Sequence, residues 1–292
     1  MCAMATSFRL LGPVAMFSGT DEMALGHPKQ RSVLAALLVS VNQPVSTSSL
    51  IDQVWGESPP PSVRSALYTY IAKLRTVLAV ADARLLRRSS RYVLEADPAS
   101  VDIHRFRSLV SAASWESTPP GGPNSRLGPL SEAVALWGGE PFEGFRTPWF
   151  DAQRAGLQAE YRNVRIRRNR LLLAFARYDE LMPELLRMTG ESPLDEELAA
   201  QMITTLDQSG RRAEALDEYH RVRSALSEEM GIDPGPGLQD LYHGLLRAGR
   251  PGAEHRRAGA AEPRRLPLTA LPDPAAPVST EAPHGQRRPS AR

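Results

Sequence analysis

Between Ser62 and Arg91 stand seven basic side chains and a single acid, Asp82; six of the seven fall in two stretches, "SVRSALYTYIAKLRTVL" (62–78) and "RRSSRYVL" (87–94). On a helical wheel of about 100° per residue, Val63, Leu67, Tyr70, Ile71, Leu74, Val77 and Leu78 fall in one apolar stripe. Opposite it lie Ser65, Tyr68, Thr69, Ala72 and Thr76, edged by Arg64 and Arg75 on one side and Lys73 on the other. A solvated helix face ordinarily pairs long acids with long bases at i,i+4, yet this helix has no acid. An ordinary amphipathic surface helix explains the stripe but not that absence. Short side chains along the outer midline let a helix enter the major groove of duplex DNA. The flanking Arg and Lys then meet phosphates, while Ser, Thr and Tyr reach base edges. The hairpin that follows sets Arg87, Arg88 and Arg91 around a small, flexible tip suited to a minor groove.

Several elements must hold that helix in place. "FRLLGPVAMF" (8–17) alternates apolar residues around Gly12-Pro13 and reads as a short hairpin or two edge strands. "PKQRSVLAALLVSV" predicts a helix with Pro28 in its first turn and Val33, Leu34, Leu37, Leu38 and Val41 on its inner face. "STSSLIDQVWG" (46–56) predicts a shorter one, capped by Ser46 and ended by Gly56, with Leu50, Ile51, Val54 and Trp55 inside. Trp55 is mainly a core residue, its indole N–H a secondary candidate for a phosphate contact. "PPP" (59–61) then breaks the chain before the basic helix.

Beyond about residue 101 the pattern is nearly all helical, with candidates at 103–115, 128–138, 148–177, 179–189, 194–208, 211–230 and 236–248. "ARYDELMPELL" (176–186) aligns with "GRRAEALDEYH" (210–220) at a spacing of 34 residues, the tetratricopeptide period. "RNVRIRRNR" (162–170) reads as the solvated face of a long helix. Residues 250–292, rich in Pro, Ala and Arg, are expected to be disordered and dispensable. The net charge of +2 divides into +3 for residues 1–101, −5 for 102–249 and +4 for the tail. No apolar run approaches the roughly 20 residues of a membrane span, and a single cysteine, Cys2, excludes an internal disulfide. The six histidines form no HxxxH or HExxH pair, and no phosphate-binding glycine loop occurs. The chain is expected to be a cytoplasmic, nucleoid-associated non-enzyme without metal or cofactor.

The order of elements resembles the OmpR-type winged helix. "RLLGPV", "PKQRSVLAALL", "VSTSSLIDQVWG", "SVRSALYTYIAKLR", "SSRYVLEADPASVDIHRF", "LWGGEPFEGF" and "ALDEYHRVRSALSEEMGIDPGPGLQDL" resemble the Streptomyces antibiotic regulatory proteins, in that order, over residues 8–249. The resemblance implies an α+β winged helix-turn-helix (1–101) followed by an all-α, tetratricopeptide-like bacterial transcriptional activation domain (102–249). With no ATPase region following, it is the short form that is resembled. It implies a pathway-specific activator of antibiotic or other secondary-metabolite genes in actinobacteria. Such a protein binds tandem direct repeats in double-stranded DNA and engages RNA polymerase through sigma factor or another subunit. By position, Arg64, Thr69, Lys73 and Arg75 match groove-facing and phosphate-facing sites, and Arg88 and Arg91 match the wing. Two positions depart: Arg91 stands where glycine is usual, and the second helix lacks an acid near Ser48 or Ser49. Self-association on adjacent repeats is expected of the helical region. The competing reading is a helical protein-binding scaffold carrying a degenerate or non-specific DNA-binding domain.

Overall fold

The structure is a computed structural model that describes residues 6–113 and 124–248; Cys2 and the 250–292 tail lie outside the described residues. Gly12-Pro13 divide the first apolar run into β1 (Thr6–Arg9) and β2 (Ala15–Ser18), paired antiparallel with Phe8 opposite Met16. A two-residue β3 (Asp21–Glu22) extends this sheet. α1 (Pro28–Val39) follows, capped by the His27 imidazole, whose Nδ1 accepts from the Lys29 amide at 3.1 Å. The wheel gives α1 one inner face, but Gln30 and every residue from Ser32 to Leu38 are buried. The cause is position: α2 (Thr47–Trp55), α3 (Val63–Leu78) and β6 (Arg91–Glu95) all pack around it. A helix surrounded on all sides has no outer face to keep polar.

Local chemistry sets the ends of α2. The Ser46 hydroxyl accepts from the Ser49 amide at 3.0 Å, and Gly56 leaves the helix at φ 65°. The wing is β5 (Arg84–Arg88) against β6, and β4 (Val45–Ser46) pairs with the far edge of β6. A two-residue strand such as β4 carries too little pattern to be read from sequence.

After a 3-10 turn (Pro98–Ser100) come α4 (Asp102–Ala112), α5 (Asn124–Ala135), α6 (Pro148–Ala174), α7 (Tyr178–Glu191), α8 (Glu196–Gln208), α9 (Arg212–Met230) and α10 (Pro236–Ala248). The 34-residue repeat has a structural counterpart. Ala176 and Gly210 both adopt positive φ, at 54° and 83°. The next amides, of Arg177 and Arg211, bond back to Leu172 and Leu206 at 2.9 and 2.8 Å. Arg177 then pairs with Glu180 as Arg211 pairs with Glu214. Each repeat starts by reversing the chain, so that α7 packs on α6 and α9 on α8.

The described residues form one compact unit, and a continuous apolar core runs from Phe8 to Leu245. The 138–147 loop joins the first hundred residues to the helices. Gly138 and Phe142 amides donate to Leu11 and Leu10 carbonyls at 2.8 and 3.0 Å, and the Thr147 hydroxyl donates to Gln53 O at 2.7 Å. A Cβ on Gly12 would stand 3.3 Å from the Gly138 carbonyl carbon, so glycine is needed where the two loops meet. Buried Arg154 shapes this loop from within, donating to Pro141 O at 3.0 Å and Phe145 O at 2.7 Å. Among the described residues no helix is long and apolar enough to cross a membrane, and no acidic, His or Cys cluster could hold a metal ion.

Candidate nucleic-acid interface

Leu67, Ile71, Leu74 and Leu78 of α3 are buried, and Val63, Tyr70 and Val77 are half-buried, so the apolar stripe seats the helix against α1 and α2. The opposite face is open. Arg64, Ser65, Tyr68, Thr69, Ala72, Lys73, Arg75 and Thr76 are all exposed. Arg64 and Lys73 have neither a hydrogen-bond nor an ion-pair partner among the described residues. Thr69 and Thr76 donate their hydroxyls to the carbonyls of Ser65 and Ala72, at 3.0 and 3.4 Å. That back-bonding leaves each threonine to present a methyl group and acceptor lone pairs outward. A methyl can meet the thymine methyl, and an oxygen can accept from an exocyclic amine, both in the major groove.

Arg75 has a different place from Arg64 and Lys73. Its Nε donates to Leu85 O on β5 at 3.0 Å, tying the basic helix to the wing. Arg87 bridges the same two elements: its guanidinium lies 5.7 Å from the Tyr68 ring and 5.9 Å from the Tyr92 ring, and its Nε donates to Ser89 O at 3.2 Å. Tyr68, 43% exposed, is therefore braced from the wing side. Arg88 pairs with Glu95 at 2.8 Å while 68% exposed, whereas Arg91 is exposed without a side-chain partner among the described residues. Arg84, exposed at the start of β5, adds a cation that sequence reasoning passed over although it lies inside the same charge run.

The wing tip is less free than its composition suggests. Ser89 takes φ 56°, and the Ser90 carbonyl accepts from both the amide and the hydroxyl of Thr47, at 3.3 and 3.1 Å. Two bonds to the start of α2 fix the tip against that helix. The serines suit a left-handed turn, but Thr47 lies more than forty residues upstream, so no local signal marks the contact.

Trp55 is half-buried and stacks on Tyr70 at 6.3 Å, and Tyr70 stacks on His27 at 5.8 Å. Lys29 closes the ladder from the other side, 5.7 Å from the Trp55 ring, and its Nζ donates to Val54 O at 2.7 Å. Burial holds the Lys29 ammonium below its usual lysine range. Neither His27 nor Lys29 stood out in the sequence. A second unforeseen group is Asp102, whose carboxylate accepts from the Leu10 and Leu11 amides at 2.7 and 2.8 Å and from its neighbour Ile103 at 2.8 Å. Burial pushes this carboxyl up to about 6, against the opposing pull of those three amides and of Arg9.

The arginine run on α6 is placed otherwise than its composition implies. Arg162 pairs with Asp195, Arg165 with Glu184 and Glu191, and Arg170 with Glu197. Arg167 donates to Ala113 O at 3.0 Å and Arg168 to the Ser131 hydroxyl at 3.0 Å. This run is not a solvated face. It knits α6 to α5, α7 and α8, because carboxylates distant in sequence are brought beside it.

Similarity to known proteins follows the same division. Residues 21–104 match the family "Transcriptional regulatory protein, C terminal", and residues 101–246 match the "Bacterial transcriptional activator domain". Regulatory protein AfsR of Streptomyces griseus is 33% identical over 93% of this chain, which spans only 28% of AfsR. MoaR1 of Mycobacterium tuberculosis is 32% identical, with 84% of this chain and 80% of MoaR1 aligned. DnrI of Streptomyces peucetius is 30% identical, with 82% and 91% aligned. Mycobacterium tuberculosis EmbR, solved in complex with a low-affinity phosphopeptide, superposes with a TM-score of 0.72 at 29% identity, covering 86% of this chain and 67% of EmbR. An OmpR-type winged helix continued by a bacterial transcriptional activator domain, in a chain most of whose length aligns with these regulators, places this protein in the Streptomyces antibiotic regulatory protein family of transcriptional regulators.

Proposed function

We propose that this protein is a sequence-specific, DNA-binding activator of a secondary-metabolite gene cluster. It binds tandem direct repeats beside promoters, self-associates there through its helical region and engages RNA polymerase, sigma factor included. The observation that carries this reading is the outer face of α3, where eight side chains are exposed and Arg64 and Lys73 are uncommitted. In this reading Arg64, Lys73 and Arg91 bind phosphates and supply most of the affinity, so binding falls steeply with salt. Ser65, Tyr68, Thr69, Ala72 and Thr76 read base edges. Arg75 and Arg87 act chiefly by holding the wing against α3, and Arg88 contributes as far as Glu95 releases it. Trp55 braces the N-terminal half of α3 through Tyr70 rather than meeting DNA itself.

Selection of fragmented host genomic DNA on the purified chain, at low and near-physiological salt, tests the proposal. Recovery of one region with a tandem repeat beside biosynthetic genes is the expected result. Retention at low salt alone, without a shared motif, would overturn it and favour the scaffold reading.

A further inference from the structure

We infer that the outer face of α3 selects its DNA repeat by the C5-methyl groups of thymine, met by the methyls of Thr69, Ala72 and Thr76, and not by paired hydrogen bonds to guanine. It rests on the DNA-binding reading above and names the feature of the duplex to which that face responds.

The three residues stand at i, i+3 and i+7 of α3 and all are exposed, so their side chains form one line along the helix. From Thr69 to Thr76 that line covers two turns, about 10 Å, the length of about three base-pair steps. Both threonine hydroxyl hydrogens are spent inside the helix, on the carbonyls of Ser65 at 3.0 Å and Ala72 at 3.4 Å. A threonine held in this way cannot donate to guanine O6 or N7. It offers a methyl and an accepting oxygen, and Ala72 offers a methyl alone. Only thymine among the bases carries a methyl group in the major groove.

The residue types that α3 lacks point the same way. Paired bonds to a base come from Arg or Lys for guanine and from Asn or Gln for adenine, while Asp or Glu accepts from cytosine. Between Val63 and Leu78 there is no Asn, Gln, Asp or Glu. Arg64 and Lys73 flank the line, and Arg75 is tied to Leu85 O at 3.0 Å, so the midline has no forked donor. Ser65 and Tyr68 each keep a hydroxyl without a partner among the described residues. Both purines present N7 as an acceptor, however, so one such donor does not tell guanine from adenine. Contact between methyl groups is left to choose the base.

Selection of the full chain against a random duplex pool supplies the repeat, and base analogues within it separate the contacts without altering the protein. The recovered repeat should hold thymines, on either strand, at two or more of about four consecutive base pairs. Replacing these thymines by uracil deletes only the methyl, and should weaken binding about three- to fivefold for each contacted base. Replacing guanines by 7-deazaguanine removes N7, and should change affinity by less than about twofold. Thr69→Ser with Thr76→Ser keeps both hydroxyls and their backbone bonds and removes only the methyls. That variant should bind the thymine repeat more weakly and lose most of its sensitivity to uracil, as coupled partners do in a double-mutant cycle. Three results would each overturn the methyl reading while leaving a sequence-specific DNA-binding protein: no effect of uracil, a larger loss from 7-deazaguanine than from uracil, or undiminished uracil sensitivity in the serine variant. A pool that yields no motif would overturn sequence-specific binding itself, and the methyl reading with it.

Discussion

Two stretches of this chain are equally conspicuous for arginine, and they have opposite fates. Along α3 and the wing, Arg64, Lys73, Arg84 and Arg91 stand exposed without ion-pair partners among the described residues. Along α6, Arg162, Arg165 and Arg170 are each paired with carboxylates from α7, α8 or the turn between them. Both runs are strongly basic in sequence. What decides their fates is the neighbourhood: α3 packs its apolar face on the acid-free α1, whereas α6 lies against helices rich in glutamate. A basic run is available to an anionic partner only when the fold brings it no anions of its own.

The largest effect that separates the two regions should come from Arg165→Met. Removing this arginine leaves Glu184, 9% exposed, with only its exposed partner Arg187, and should cost about 3 kcal/mol of stability. Thermal and denaturant unfolding would register it; a loss under 1 kcal/mol would mean the α6 run is not structural. Next comes the double reversal Arg64→Glu with Lys73→Glu. It should weaken DNA binding on the order of a hundredfold at moderate salt and flatten the salt dependence by about two phosphate contacts, with stability unchanged. An unaltered salt slope would place the α3 cations off the DNA.

Where α4 meets the Leu10–Leu11 turn, Asp102 offers a pH test of intermediate size. Its folded-state value of about 6 lies above its ordinary 3.8, so the protonated form favours the fold. The associated stability is fully present below the unfolded value and is lost as pH rises through the folded one. Between about pH 4 and about pH 6 stability should decline by something on the order of 2 kcal/mol, and Asp102→Asn should flatten that decline. Unfolding curves of both forms across this range would show whether it does.

Within the exposed region, finer differences follow. Thr69→Ala removes the outward methyl and should lower affinity for the selected site by about 1 kcal/mol while leaving random DNA unaffected. Equal losses on both would assign Thr69 a purely structural part. Smallest of all, Arg91→Ala should weaken binding more than Arg88→Ala, since Glu95 already engages Arg88. Side-by-side titrations of the two variants would decide this, and equal losses would mean the Arg88–Glu95 pair opens on DNA at negligible cost.

Much of this molecule was legible in the sequence. The period of Leu67, Ile71, Leu74 and Leu78 determined α3 and its buried face, the missing acids marked its outer face, and Ser46 and Gly56 marked the limits of α2. The repeat at Arg177 and Arg211 was visible as well. Such features are local: they depend on spacings within a turn or two of helix, or on one residue's backbone preference. Tertiary structure alone decided the rest. The sequence did not show that α1 is buried on every side, that Thr47 pins the wing tip, or that Asp102 caps the Leu10 and Leu11 amides. Nor did it show that the α6 arginines meet acids from the following helices. Each of these joins residues far apart in the chain. A charge or hydrogen-bonding group carries no mark of its partner until the apolar periodicities have packed the elements and brought the two together.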